Sequence, residues 1–513
     1  MKKLKNIRLH PAFMFLILTL TIMIISSVGS LFDLKTSYYT VDSVTGDLET
    51  QVVTISNLFN RTGLQYLVSN LLSNFMSFSP LGTLIIGLIG VGVAHKSGFL
   101  NTFYKMITKN RSRKLFTYLV VLTGVIAGMF SEAGYVILLP LAAILFLNLG
   151  RHPSAGVCAA FAGITFGYGA NVVVNGLDGS LVNYTNIAAS ILDTTYKANV
   201  SGNLFLMIVA TFLIAYLGMV ITEKFIIPKL GKYNFSEEEN FIVLQEPTNR
   251  EKKGVILSLV VVFMVSLVFI YCIVPGLPFS GLFLYLKDSG YVNQLFGSNS
   301  YFNLGSVFIF SLLLIIAGLV YGFRKKSFKN NWDVVDGMNY YLKDMSSILI
   351  LIFFAAQFCL IFKQTNIGVF IVASLSELLN NMQLSGVVLI IGTFFVTAIA
   401  TIFVPTASTK WAILAPIVVP MFMQNSFTAE YAQAVFRAGN SAGLGITPLF
   451  SYFVILIGFL QIYNKKKNTT VTITDTMSLM TPYTIAFTVL WLIVVLAFYI
   501  LGVPLGIGTK VML

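Results

Sequence analysis

Apolar runs of about 20 residues, long enough to cross a hydrocarbon core of roughly 30 Å as a helix, recur from residue 12 to residue 502. Polar residues collect in the short intervals between them, and no interval can hold a large soluble domain. The pattern predicts an all-α polytopic membrane protein embedded in a lipid bilayer. The first run, Pro11 to Phe32, follows a basic start (Lys2, Lys3, Lys5, Arg8), as in a signal peptide. Its apolar stretch is long and no small-residue cleavage site stands out, so it reads as the first spanning helix.

One passage occurs twice. Ile137 to Gly169 repeats at Ile413 to Gly445 with a constant offset of 276, no gaps and eight identities in 33 positions: Ile137/Ile413, Leu138/Leu414, Pro140/Pro416, Phe146/Phe422, Ala162/Ala438, Gly163/Gly439, Gly167/Gly443 and Gly169/Gly445. Most of these are residues that break helices or let backbones approach closely. Duplicated helix breakers mark the core of many secondary transporters.

Basic residues set the orientation. Clusters at Lys2 to Arg8, Lys105 to Lys114, Arg151, Lys224 to Lys232, Arg250 to Lys253, Arg324 to Lys329 and Lys465 to Lys467 are expected in the cytoplasm, and the loop 33–65 with Asp33, Asp42, Asp47 and Glu49 outside. Segment 115–149 has basic residues at both ends and Ser131-Glu132-Ala133-Gly134-Tyr135 in its middle, so it reads as a hairpin entering from the cytoplasm. Its counterpart, about 385–424, lies between Glu377, Asn380 and Asn381 on one side and Asn425 and Glu430 on the other, and reads as a hairpin entering from outside. The halves are then inverted repeats. The expected organisation is residues 1–65, an N-terminal spanning helix and external loop; 66–222, the first repeat; 223–255, a cytoplasmic linker; 256–345, scaffold or dimerisation helices; 346–464, the second repeat; and 465–513, a cytoplasmic loop and C-terminal spanning helix.

Composition narrows the classes. With 56% hydrophobic and 10% charged residues the chain is no soluble domain, and its net charge of +13 is spread over short loops, as topology requires and nucleic-acid binding does not. Cys158, Cys272 and Cys359 are too far apart for a metal knuckle and read as packing residues. His10, His95 and His152 are scattered near membrane faces, which leaves no catalytic set for a membrane enzyme.

After each hairpin an apolar segment is interrupted, at Ala162 to Asn171 and at Ala438 to Pro448. Three glycines in seven residues weaken a helix by about 1 kcal/mol each relative to alanine, and Pro448 removes a backbone donor. Unwound backbone at membrane depth survives only inside protein or beside a polar cavity. Freed amides there suit an anion and freed carbonyls suit a cation. The competing reading makes Gly163, Gly439 and their neighbours close-packing residues between helices.

Ionisable residues in apolar surroundings are functional candidates by default: Glu132 at the first hairpin tip, Asp178 after the first interruption, and Lys410 and Arg437 in the second half. Glu132 and Asp178 could instead meet interfacial water, and Lys410 is expected to snorkel. Arg437 suits a carboxylate clamp. Ser408 and Trp411 share a helical face, and Trp411 aligns with Tyr135 in the repeat, which predicts two aromatic surfaces about one cavity. An aromatic carboxylate would suit that set.

The runs Ser131 to Pro140, Gly150 to Gly156, Val404 to Pro416 and Gly445 to Phe453, with the start at His10-Pro11, resemble the AbgT family of aminobenzoyl-glutamate transporters over nearly the whole chain. The resemblance implies a secondary transporter with nine spanning helices and two re-entrant hairpins, a homodimer in the bacterial inner membrane with its N-terminus inside. It implies a small-molecule substrate, p-aminobenzoyl-glutamate or a related acyl-glutamate or dipeptide taken up with a cation, or else proton-driven export of p-aminobenzoate and sulfonamides. It places functional residues at Asp178, Ser408, Trp411, Arg437, position 440 and Pro448. Glu132 stands where the family usually has aspartate, and Asn440 also replaces an aspartate. No cofactor is expected. The coupling ion is then sodium, held by Asn171, Asn440, Ser441 and broken carbonyls near Gly163 and Gly439, or a proton carried by Glu132 or Asp178.

Overall fold

The computed structural model describes residues 9–41, 48–130, 132–236, 245–284, 290–297, 299–465 and 469–513. The basic start Lys2 to Arg8, Asp42 and Asp47 of the external loop, Ser131 of the first hairpin, and Lys466 and Lys467 lie outside the described residues.

Helices dominate, in chain order α1 (Pro11–Leu31), α2 (Arg61–Met76), α3 (Pro80–Lys96), α4 (Phe99–Thr108), α5 (Arg113–Ala127), α6 (Leu139–Asn148), α7 (Pro153–Phe166), α8 (Gly176–Ala189), α9 (Leu204–Ile221), α10 (Asn249–Ile273), α11 (Tyr301–Lys325), α12 (Ser346–Gln364), α13 (Ile367–Asn381), α14 (Gly386–Phe403), α15 (Ala407–Gln424), α16 (Ala429–Leu444), α17 (Ser451–Ile462) and α18 (Ile473–Leu501). The starts are written into the sequence. His10 and His152 each precede a proline at the first helical position, and the imidazole Nδ1 accepts the backbone N–H two residues on, at 3.2 and 3.3 Å. Thr248 with Glu251 and Thr472 with Asp475 form reciprocal capping boxes.

Nine helical stretches among the described residues are long and apolar enough to cross a membrane. Two of them, Arg113–Phe130 and Gly386–Phe403, are the first arms of the expected hairpins, so length does not separate a hairpin arm from a span. The loop 33–65 adds an element that the sequence reading did not foresee: an antiparallel pair, β1 (Lys35–Val41) and β2 (Leu48–Thr54), with β1 packed on α13 and α15.

The repeat governs the core. Moving Ala127, Asn148 and Pro153 along by 276 gives Phe403, Gln424 and Ala429, which are the matching helix ends of the second half. In each half both hairpin arms pack on the helix that follows: α5 and α6 on α7, α14 and α15 on α16. Contacts between the halves come in exchanged pairs. Helix α15 lies on α8 as α6 lies on α17, α16 on α8 as α7 on α17, and α7 meets its own counterpart α16. Such exchange is what a two-fold relation between the repeats produces.

Both interruptions are real and shorter than expected. Helix α7 ends at Phe166 and α16 at Leu444, so Gly163, Gly439 and Gly443 lie inside helices. A Cβ at Gly163 would meet Val121 O, one at Gly439 Phe394 O and one at Gly443 Ala398 O, so these three are the close-packing glycines of the competing reading. The interrupted backbone is 167–175 in the first half and 445–450 in the second. Equivalent contacts hold each: Asn171 Nδ2 reaches Ile126 O at 3.4 Å, and Thr447 Oγ1 donates to Ile402 O at 2.6 Å. Both carbonyls belong to the last turn of a hairpin arm.

Candidate functional site

The site lies where α8, α15 and α16 meet the first interruption. Helix α8 begins with Asn175, whose side chain accepts Leu177 N–H at 3.0 Å, while its own N–H donates to Asp178 Oδ2 at 2.8 Å. The capping box thus fixes the Asp178 carboxylate by one oxygen and leaves the other, Oδ1, which accepts from Arg437 Nη1 of α16. Both side chains are buried, Asp178 1% and Arg437 2% exposed. Asp178 therefore does not meet interfacial water.

Three contacts one helical turn apart lace α16 to the first repeat. The Thr185 hydroxyl lies 3.2 Å from Gln433 Oε1, Arg437 pairs with Asp178, and Ser441 Oγ accepts the Gly169 N–H at 2.8 Å while donating to Arg437 O at 2.9 Å. As numbers rise along α16 they fall along its partners, so the segments run antiparallel. Trp411 enters from α15, donating Nε1–H to Thr185 Oγ1 at 2.9 Å, with its ring 4.4 Å from that of Phe436.

The pairing leaves Arg437 with unused donors. Neither Nε nor Nη2 has an acceptor among the described residues. These two atoms form one edge of the planar guanidinium, the edge that takes a carboxylate through two parallel hydrogen bonds. Buried polar groups are ordinarily satisfied, and an unpartnered edge of this shape has the geometry to take a carboxylate.

Lys410 behaves differently from expectation. It does not snorkel: it is fully buried, and Nζ donates to Asn440 Oδ1 at 2.5 Å, Thr401 Oγ1 at 2.9 Å and Pro405 O at 3.4 Å. Helix α14 ends at Phe403 and α15 begins at Ala407, so the lysine bridges the bend of the second hairpin to α16.

The other predicted residues are distributed. Tyr135 stacks on Tyr452 at 4.4 Å, tilts against Phe161 at 5.7 Å, and meets Thr165 Oγ1 through its hydroxyl at 3.2 Å. Glu132, half-buried, accepts from Ser79, whose hydroxyl is 3.2 Å from that of Tyr452. Tyr135 and Trp411 thus head two separate aromatic clusters. Asn171 is turned toward α5, Ser441 toward Gly169 and Asn440 toward Lys410. Ser408 lies half-buried in the first turn of α15, and Pro448 half-buried in the second interruption, its carbonyl 3.8 Å from Cys359 Sγ.

Sequence reasoning missed Thr185, Gln433, Thr401 and Asn175. One signal was present: Thr393, Thr397 and Thr401 recur every fourth residue and so form a polar stripe in an apolar helix. It faces Gly439 and Gly443, with Thr397 Cβ and Thr401 Cβ next to those glycines. Asn175 with Asp178 three residues on is a second, capping-box signal, and nothing local marks Thr185 or Gln433.

Comparison with known proteins agrees with this architecture. The model of the AbgT transporter family matches residues 1–513. The p-aminobenzoyl-glutamate transport protein of Escherichia coli is 29% identical over 500 residues, 97% of this chain and 94% of that one. Among solved structures, MtrF of Neisseria gonorrhoeae, described as illuminating a class of antimetabolite efflux pumps, is 34% identical, with 98% of each chain covered and a TM-score of 0.50. The YdaH transporter of Alcanivorax borkumensis, described as having an unusual topology, is 29% identical, with 97% of this chain and all of that one covered and a TM-score of 0.48. With its repeated, interrupted helices and a family match along its whole length, the chain belongs to the AbgT family of membrane transporters and is not an enzyme.

Proposed function

We propose that the protein is a cation-coupled secondary transporter of p-aminobenzoyl-glutamate or a related aromatic acyl-glutamate or dipeptide, with Arg437 as its carboxylate clamp. One observation carries the reading: the buried guanidinium held by Asp178 keeps its Nε and Nη2 edge without an acceptor among the described residues, on the helix whose Phe436 packs against Trp411. Asp178 orients the fork and offsets its charge, so an incoming carboxylate gains a rigid partner without the fork having to be ordered first. The name of the Escherichia coli relative points to the same chemistry.

The description of MtrF favours a second reading, proton-driven efflux of p-aminobenzoate and sulfonamides. In either direction the two repeats would act as inverted halves that open the site alternately. Sodium near Asn171, Asn440 and Ser441, or a proton on Glu132 or Asp178, would supply the coupling. The basic loops favour a cytoplasmic N-terminus in a bacterial plasma membrane. Helix α10, only 11% buried along its apolar length, supports a homodimer that uses the 256–345 region beside lipid.

Uptake of labelled p-aminobenzoyl-glutamate into proteoliposomes, with sodium and proton gradients imposed separately, tests the reading. Concentrative uptake driven by one gradient is the expected result. Absence of uptake under both, with sulfonamide moving against a proton gradient, would replace the importer by the exporter.

A further inference from the structure

The second hairpin buries a lysine with no carboxylate at salt-bridge distance among the described residues. Its three partners are neutral oxygens of different kinds: the Asn440 amide Oδ1, the Thr401 hydroxyl and the Pro405 carbonyl. All three are acceptors. Thr401 gives its own proton to Thr397 O at 2.7 Å, so a lone pair faces the lysine. Pro405 lies in the bend between α14 and α15, where carbonyls are released from helical bonding. An ammonium has three donors and no acceptor, so a tripod of three acceptors matches the charged form.

Three mixed oxygens around one buried positive centre also make a cation-binding set, the kind that unwound hairpin backbone provides for free ions in transporters. Here the positive centre is covalently attached. We propose that the Lys410 ammonium is a built-in cation that fills an oxygen cradle made by Asn440, Thr401 and Pro405, and that the cradle takes a free monovalent cation only when the lysine is removed. Asn440 then serves a tethered charge, and any coupling sodium is held without its oxygen.

The consequence for the site is electrostatic. Arg437 lies one turn before Asn440 on α16 and is offset by Asp178, so Lys410 supplies the uncompensated positive charge of this region. A positive charge there favours anionic substrates without adding a contact to them. The inference goes beyond the proposed substrate and rests on side-chain geometry alone, so its test needs no transport.

Equilibrium binding of labelled sodium to purified protein, with choline keeping ionic strength constant, is measured for the wild type, Lys410→Ala and Lys410→Met. Each variant is expected to bind one sodium per chain more than the wild type. The thermal midpoint of Lys410→Ala should fall in choline and recover saturably with sodium or with propylammonium, which restores the missing group. Adding Asn440→Ala should abolish both the extra equivalent and the recovery. Asn440→Asp alone keeps the lysine in place and should show no extra sodium. Unchanged stoichiometry in the lysine variants, recovery that survives loss of Asn440, or extra sodium in Asn440→Asp would each overturn the proposal.

Discussion

Four buried positions of the second repeat, Lys410, Trp411, Arg437 and Asn440, correspond under the 276-residue offset to Gly134, Tyr135, Phe161 and Ile164 of the first, which are buried as well. The backbone is shared and the chemistry is not. Where the second half holds two cations, an amide and an indole, the first has a glycine, an aliphatic and two aromatic residues. The reverse holds for the carboxylate, since Asp178 of the first half faces Val454 in the alignment. Charge inside a membrane protein is costly unless paired or hydrated, and at these aligned positions the molecule incurs that cost in one copy and not the other. The repeat therefore builds a frame, and side chains that differ between its copies make the frame selective.

The largest expected effect strikes what the copies share. Gly163→Leu and Gly439→Leu occupy equivalent positions, and each would drive a side chain into the backbone carbonyl of a hairpin arm. Overpacking of this kind costs about 1–3 kcal/mol, more where backbone must move. Neither variant should yield monodisperse protein by size-exclusion chromatography. A folded Gly439→Leu protein with altered ion dependence would return that residue to the ion pathway.

Next come substitutions that make the copies alike. Arg437→Phe copies the first repeat and removes the clamp. Binding of p-aminobenzoyl-glutamate should weaken about 100-fold or more, as expected when charge-assisted hydrogen bonds worth roughly 3 kcal/mol are lost. The substitution also strands Asp178, and unpairing a buried ion pair costs about 3–5 kcal/mol. Combining it with Asp178→Val should restore the thermal midpoint without restoring binding. Binding within threefold of wild type by isothermal titration would sink the clamp.

Much of this frame was legible in the sequence, for a physical reason. Apolar run lengths, prolines at helix starts and the duplicated glycines are local signals, and they located the paired helices and both interruptions. The glycines marked close approach as much as unwinding, which is why Gly163 and Gly439 fall inside helices. Arg437 and Asp178 each stood out as a charge in apolar surroundings. Their pairing did not, because it spans 259 residues and depends on how α8 lies along α16. Lys410 was misread because snorkelling depends on depth and direction, and both are set by the bend at Pro405 and the neighbouring helix.

Asp178→Asn separates holding the clamp from being the clamp. The amide oxygen can still accept the Asn175 N–H, but Arg437 loses its counter-charge. Stability should fall by about 3 kcal/mol, while affinity for a carboxylate substrate changes less than in Arg437→Phe. The substrate should then raise the thermal midpoint of Asp178→Asn more than that of the wild type, because its carboxylate supplies the missing charge. An equal or smaller rise would show that the substrate carboxylate goes elsewhere.

The smallest effect concerns Trp411, the aromatic counterpart of Tyr135. Trp411→Phe keeps a ring against Phe436 and deletes the N–H that donates to Thr185 Oγ1. One buried hydrogen bond is worth about 1 kcal/mol, so KM should rise about fivefold with little change in kcat. Thr185→Val removes the same bond from the other side and also frees Gln433. If the bond positions the indole, the two substitutions overlap, and the double variant should cost little more than either alone. Additive losses would mean instead that the indole acts through its own area on the substrate, and that Thr185 serves only to hold α8 against α16.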